Sequence, residues 1–267
     1  MAKFDPKIPS IARVYDYWLG GKDNFAADRE LADRMLTLVP PIADCVIENR
    51  QFLSRAVTWA ANDGIGQFID LGCGMPTAPN THESAQAIKG AARVVYVDND
   101  PVVVNHLDAL LAKGNPGVSV VDGDVRDAAA VIDRVGEVLD LSAPSCLVVG
   151  YLLHFFTADA ARELMASYAA ALAPGSCVVI SVFQAAKSAA ADEGLSMYAS
   201  KAAQAYSHPL PDVASFFGPM ELVPPGMVDA RQWRPGWELP NVPLRDNYVV
   251  VAVARKQSSE TVTAPST

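Results

Sequence analysis

Apolar residues in the first sixty positions recur at helical spacing. Ser10 stands where it can cap a short helix through Tyr15, Tyr17 and Trp18, which Gly20-Gly21 ends. Asp23 can cap a second helix over residues 24–38, with Asp28 and Glu30 near its positive N-terminal end. Pro40-Pro41 closes that helix, and Pro41 can open the next. There Ile42, Val46, Phe52, Leu53, Ala56 and Val57 form a stripe that stops at Asn62-Asp63-Gly64.

After Gly64 the pattern changes to short apolar runs alternating with helical stretches. Strands are predicted over residues 67–71, 94–97, 118–121, 146–150, 177–182, 221–223 and 248–254. Between them fall a short helix after Asn80 and helices over 101–113, 127–139 and 158–173. Asn80 and Glu83 have capping-box spacing, while Gly114 and Gly175 mark helix ends. This alternation predicts an α/β fold: a mostly parallel seven-stranded sheet with helices on both faces and an N-terminal helical extension. The β-branched run ending at Val253 suits a final antiparallel strand. The expected organisation is an extension over 1–64, a core over 65–255 and a disordered polar tail over 256–267. A small-residue insertion over 184–206, read as helices 185–191 and 196–206, is placed to form a lid or substrate wall.

Composition sharpens this picture modestly. The 267 residues are 51% hydrophobic and 19% charged, enough for a well-buried core. The N-terminus carries no apolar secretory stretch, and no apolar run reaches membrane-spanning length, so a soluble cytoplasmic protein is expected. A net charge of −9 disfavours non-specific binding to nucleic acid or anionic lipid and leans toward a small-molecule partner. The four cysteines lack metal-ligand spacing, so no metal site is expected.

The candidate chemistry lies at the strand ends. The run from Phe68 to Leu71 places Asp70 in a buried strand that feeds Gly72-Cys73-Gly74, a turn that lets backbone approach a nucleotide closely. A dinucleotide fingerprint would have a third glycine at position 77, which is Thr. Asp98, followed by Asn99, ends the second strand, where a carboxylate can accept from both hydroxyls of a ribose. Asp124 and Val125 follow the third strand, placed to meet an exocyclic amine and a ring nitrogen of adenine. Alone, Asp98 reads better as a solvated strand-end acid and Asp124 as a turn or helix cap. Their succession at three strand ends favours a nucleoside-containing cofactor.

This ordered set resembles the class I S-adenosylmethionine-dependent methyltransferases over residues 67–254. The resemblance implies a Rossmann-like fold with S-adenosylmethionine as cofactor. By position it implies that Asp70, Gly72 and Gly74 hold the methionine part, Asp98 the ribose and Asp124 the adenine. The segment from Ser10 to Phe25, with Pro76-Thr77, the stretch from Asn80 to Glu83, Leu153-His154-Phe155 and Trp233-Arg234-Pro235, resembles a bacterial S-adenosyl methyltransferase family once filed as a domain of unknown function. That family's acceptor is not fixed by the resemblance.

The N-terminal segment groups Arg13, Tyr15, Asp16, Tyr17, Lys22, Asp23 and Asn24 around a Gly-Gly turn. It reads equally as an amphipathic cover for the sheet and as a lid that brings Arg13 and Tyr17 to the cofactor. His154, after the fourth strand, is the candidate general base, with His82 a weaker one; His106 and His208 receive no role. Tyr15, Tyr17 and Tyr151 are candidates to line an acceptor pocket. Two competing readings remain at this point: an NAD-dependent oxidoreductase, whose glycine pattern fits poorly, and a non-catalytic S-adenosylmethionine-binding regulatory protein.

Overall fold

The computed structural model describes residues 5–234 and 248–257. The expected disordered tail lies almost wholly outside the described residues, as does Pro235. Three helices open the chain: α1 (Ile11–Trp18), α2 (Ala26–Leu38) and α3 (Ile42–Asn62). The core then alternates β1 (Gln67–Leu71), α4 (Thr81–Gln86), β2 (Arg93–Asp98), α5 (Pro101–Leu110), β3 (Val118–Asp122), α6 (Ala128–Gly136), β4 (Cys146–Gly150), α7 (Ala158–Ala171) and β5 (Cys177–Gln184). The insertion α8 (Ala189–Lys201) and the short α9 (Leu210–Ser215) precede β6 (Glu221–Leu222), β7 (Val228–Asp229) and β8 (Tyr248–Arg255).

The sheet runs β3-β2-β1-β4-β5-β8-β6, with β7 also paired to β8. β1 to β5 are parallel, and β8 inserts antiparallel beside β5. The strand order reverses between β1 and β4, which opens a crevice at their carboxyl ends. Among the described residues the sheet has eight strands rather than the expected seven. The additional strand is the two-residue β7, whose pairing with Val250 and Val251 is a tertiary event with no periodic signal of its own.

Consecutive strand residues point to opposite faces, and both faces are covered, which is why the strands read as unbroken apolar runs. Phe68, Val94, Val148 and Val251 join one core with Phe52 of α3 and the fully buried Trp233. Ile69, Val95, Val149 and Val250 join the other with Met165 of α7 and Phe216. A third cluster unites Val14 of α1, Leu31 and Met35 of α2 and Tyr198 of α8. The N-terminal helices and the insertion are therefore packed against each other.

Some local expectations resolve differently. The insertion holds a single helix, α8, instead of two. Gly194 in its middle lies beside Met35 of α2 and Val39 just after it, and a Cβ there would meet them at ordinary van der Waals distance. Ser10 occupies the position before α1 without capping it, because its hydroxyl donates to Asp100 at 2.8 Å. Asp23 does not cap α2. Asp28, in that helix's first turn, accepts the Phe25 N–H at 2.8 Å instead. The Asn80–Glu83 box forms as expected, with Glu83 accepting the Asn80 N–H. No helix among the described residues is long and apolar enough to cross a membrane.

Candidate active site

A cavity of about 730 Å³ opens at the carboxyl ends of β1 to β4, a size typical of small-molecule sites. Asp70 and the glycine turn line it from β1, Asp98 and Asn99 from β2, Asp124 and Val125 from β3, and Gly150 and Tyr151 from β4. Of the sequence-derived binding residues, the structure thus brings together Asp70, Gly72, Gly74, Asp98, Asn99, Asp124, Val125 and Arg13.

The glycine turn is fixed by its neighbours. Gly72 and Gly74 have φ of 60° and 68°, in the left-handed region. A Cβ on Gly72 would also lie 2.7 Å from Leu152 Cδ1. The turn's N–H groups are engaged: Gly72 and Cys73 donate to the Val97 carbonyl, and Gly74 donates to Asp98 Oδ2 at 3.0 Å. The turn prolongs the β1–β2 pairing, and its contribution is close approach rather than free donors.

Asp98 is 8% exposed. Its Oδ1 accepts the Asp100 N–H at 2.9 Å, and a carboxylate retains further lone pairs beyond these two bonds. Burial pushes its pKa up, while the surrounding backbone N–H groups pull it back. Asp70, 6% exposed, accepts from Thr81 Oγ1 at 2.6 Å. Burial pushes its carboxyl up to about 6, against the Thr81 bond and the nearby Arg50 charge. Asp124 behaves oppositely: hydrogen bonds from Arg126, assisted by Asn99, hold it below the usual range. Val125 is fixed through its carbonyl, which accepts from Tyr168 Oη at 2.9 Å.

Arg13 reaches the cavity wall, but its Nε donates to buried Asp28 at 2.8 Å and its Nη2 to the Ile8 carbonyl at 2.7 Å. It thereby ties the segment before α1 to α2. The structure does not bring Tyr17 to the cavity: its hydroxyl donates to Asp33 of α2 at 3.0 Å. His154 sits in the 3-10 turn Leu153–Phe155, outside the lining, with ring centroids 5.5 Å from Tyr151 and 4.2 Å from Phe155. Burial lowers its pKa to about 3, which keeps the imidazole neutral. His82 is likewise outside the lining, its Nδ1 sharing a hydrogen bond with Tyr96 Oη at 2.9 Å.

Tyr15 and Tyr151 do line the cavity, with ring centroids 5.7 Å apart. Tyr151 follows β4 with φ of 53°, an uncommon conformation for a bulky residue and one that tends to occur at functional sites. Phe155, Phe156 and residues 202–204 after α8 also line it. Asn49 and Arg50 of α3 also line it and were missed by the sequence reading. The available signal was polar residues at interior positions of the α3 stripe, between Val46 and Leu53.

A mostly parallel sheet with this order, a glycine turn after β1 and acids at the ends of β2 and β3 is the Rossmann-like fold that methyltransferases use. The chain belongs to the S-adenosyl methyltransferase family, whose model matches residues 1–257. Solved structures agree. A candidate methyltransferase from Thermobifida fusca YX shares 37% identity over 94% of this chain and 96% of its own, with a TM-score of 0.89. A DUF574 family protein from Streptomyces avermitilis MA-4680 shares 34% over 95% of this chain and 100% of its own, with a TM-score of 0.86. An O-methyltransferase family protein from Burkholderia thailandensis, 14% identical over 79% of this chain and 57% of its own, shares the fold at a TM-score of 0.52. A search of curated proteins found no match.

S-adenosylmethionine is the methyl donor of this family, and the site suits it. The buried carboxylates of Asp70 and Asp98 line the cavity and retain lone pairs able to accept from hydroxyl or ammonium donors, and the buried Asn49 Oδ1 and Arg50 Nε have no partner among the described residues.

Proposed function

We propose that the protein transfers the methyl group of S-adenosylmethionine to a small-molecule acceptor held at the β4 end of the cavity. The observation that carries this reading is the convergence of Asp70, Asp98 and Asp124, from three successive strands, on one chamber with the glycine turn. In this reading Asp98 accepts from the ribose hydroxyls, Asp124 and Val125 meet the adenine edge, and Asp70 with the turn receives the methionine part. The cofactor supplies a sulfonium-activated methyl, so an acceptor lone pair takes the carbon as the C–S pair returns to sulfur.

The protein's part is alignment and exclusion of water. The segment before α1 roofs the chamber, while Tyr15, Tyr151, Phe155 and Phe156 give the acceptor end an aromatic lining. The cavity's volume of about 730 Å³ and its aromatic lining support a small acceptor over a macromolecular one. His154, outside that lining, is read as a packing residue, and no proton is routed through it.

Calorimetric titration with S-adenosylmethionine, S-adenosylhomocysteine and NAD tests the cofactor part. Saturable binding of both adenosyl ligands without NAD is expected; binding of NAD alone would overturn the assignment. Asp98→Ala should weaken both adenosyl ligands by about tenfold or more, the scale of a lost hydrogen bond to a charged group. Incubation with methyl-labelled cofactor and small-molecule or macromolecular fractions should place label in the small-molecule fraction. Label confined to protein or nucleic acid would refute the acceptor class.

A further inference from the structure

The two ends of the cavity differ in chemistry. Among the described residues, its carboxylates come from the segment before α1, the ends of β1 to β3 and the turns that follow them: Asp5, Asp70, Asp98, Asp100 and Asp124. The end at β4 is built from rings instead. Tyr15 of α1 meets Tyr151 edge to face with centroids 5.7 Å apart, and Phe155 and Phe156 follow within a few residues. Burial pushes the Tyr15 hydroxyl up to about 12 and the Tyr151 hydroxyl above its usual range. His154, against the Tyr151 and Phe155 rings but outside the lining, is pushed by burial down to about 3.

An acceptor that sheds a proton on methylation, a hydroxyl or an N–H, needs a base beside it in a dry site. Phenols that keep their protons and an imidazole that scarcely binds one are poorly suited to that task. A neutral nucleophile with a free lone pair has no such need. Its methylation turns it into a cation, which aromatic rings attract through their quadrupoles. The wider cavity has the matching sign: Arg126 pairs with Asp124 and Arg13 with Asp28, leaving Asp5, Asp70, Asp98 and Asp100 against Arg50. An aliphatic amine is protonated at neutral pH and has lost its lone pair. A pyridine-type ring nitrogen keeps it, and its planar ring packs well among aromatic side chains.

We propose that the acceptor is a planar heteroaromatic base, methylated at a pyridine-type ring nitrogen to give a cation held among Tyr15, Tyr151 and Phe155. The nitrogen lone pair forms the N–C bond as the C–S pair returns to sulfur. The positive charge passes from sulfur to nitrogen, and no proton is released. This rests on the S-adenosylmethionine reading and names the chemical class that its acceptor end fits.

The test uses two-ring probes of matched size, quinoline and 1-naphthol, each incubated with the full chain and methyl-labelled S-adenosylmethionine. Label should appear in N-methylquinolinium; label in 1-methoxynaphthalene at an equal or greater rate overturns the proposal. If neither probe turns over, binding to the protein loaded with S-adenosylhomocysteine decides. By calorimetry N-methylquinolinium should bind about fivefold or more tightly than its neutral isostere 1-methylnaphthalene, and equal or weaker binding of the cation overturns the proposal. Phe155→Leu should weaken the cation severalfold more than the isostere, with S-adenosylhomocysteine affinity retained. Equal losses for the two would mean that the ring supplies only bulk, which also overturns it. If the variant does not fold, the wild-type comparison stands by itself. Failure of the wild type to bind S-adenosylhomocysteine would instead refute the cofactor assignment.

Discussion

The two carboxyls flanking the glycine turn give the site a pH signature. Asp70 titrates near 6 because it is buried, and an ammonium placed against it favours the charged form. Cofactor affinity should therefore fall as pH drops below about 6, approaching tenfold per unit. The Thr81 hydrogen bond and the Arg50 charge lower the midpoint, and the Asp98 charge raises it. Calorimetry at pH 5, 6 and 7.5 checks this, and Asp70→Asn should flatten the dependence; a wild-type profile already flat would refute it.

His154 gives a stability signature of defined sign. Its folded pKa is about 3, against 6.5 for an exposed imidazole. The unfolded chain thus takes the proton first, and this residue's contribution to stability is lost as pH falls from about 6.5 toward 3, by up to about 1.4 kcal/mol per unit. His154→Gln should lose less stability than wild type between pH 7 and 5 in urea melts. The comparison of the two proteins cancels Asp70 and Asp98, whose raised values act in the opposite direction. The variant should keep its methyl transfer.

The acids and paired glycines were legible because a strand-end carboxylate and a left-handed turn leave marks within a few adjacent residues. Asn49 and Arg50 were not, since a polar pair inside a helical stripe reads as an exposed face until the helix is set over the sheet. Tyr17 and His154 were placed by their proximity in sequence to the site. Their side chains instead go to α2 and to a cluster of rings around Tyr151 and Phe155.

Among the elements, α1 and α2 act as one strapped unit. Asp28 accepts from Arg13 Nε and from the N–H groups of Ser10 and Phe25 at 2.8 to 2.9 Å. Ser10 then donates to Asp100, at the start of α5, and both residues line the cavity. Asp28→Ala leaves the Arg13 charge buried without its carboxylate and should destabilise the protein by about 3–5 kcal/mol, measurable as a lower urea midpoint. Ser10→Ala removes one link between the strap and the β2 end. It should raise the cofactor dissociation rate a few-fold in stopped-flow measurements while leaving the melting temperature nearly unchanged.

Strands β1 to β5 and most core helices were readable because each buries both faces or one regular stripe. β7, α9 and the continuity of α8 were not. The first depends on pairing with β8. α9 is a six-residue helix, too short for a clear period. In α8, interior Gly194 weakens local helix propensity and is compensated by contact with Met35 of α2 and Val39 just after it.

For the whole molecule, the cavity draws on residues from position 5 to position 204, so a ligand there links parts of the chain that are otherwise distant in sequence. S-adenosylhomocysteine at a hundred times its dissociation constant adds about 2.7 kcal/mol to the folded state. For a chain of this length that corresponds to a rise of about 5–10 °C in melting temperature. Scanning calorimetry with and without the ligand reads this directly, and NAD should leave the transition in place. A shift for NAD alone would point back to the oxidoreductase reading.

The bonds from Gly72 and Cys73 to the Val97 carbonyl make the glycine turn a continuation of the β1–β2 register. Its conformation is thus set when the strands pair, before any ligand arrives, and the entropy of ordering it belongs to folding. A redesign toward a different nucleotide that lengthens or reshapes this turn would therefore have to re-register two central strands. The tractable places to alter ligand preference are the segment before α1 and the aromatic end, which can vary while the sheet stays as it is.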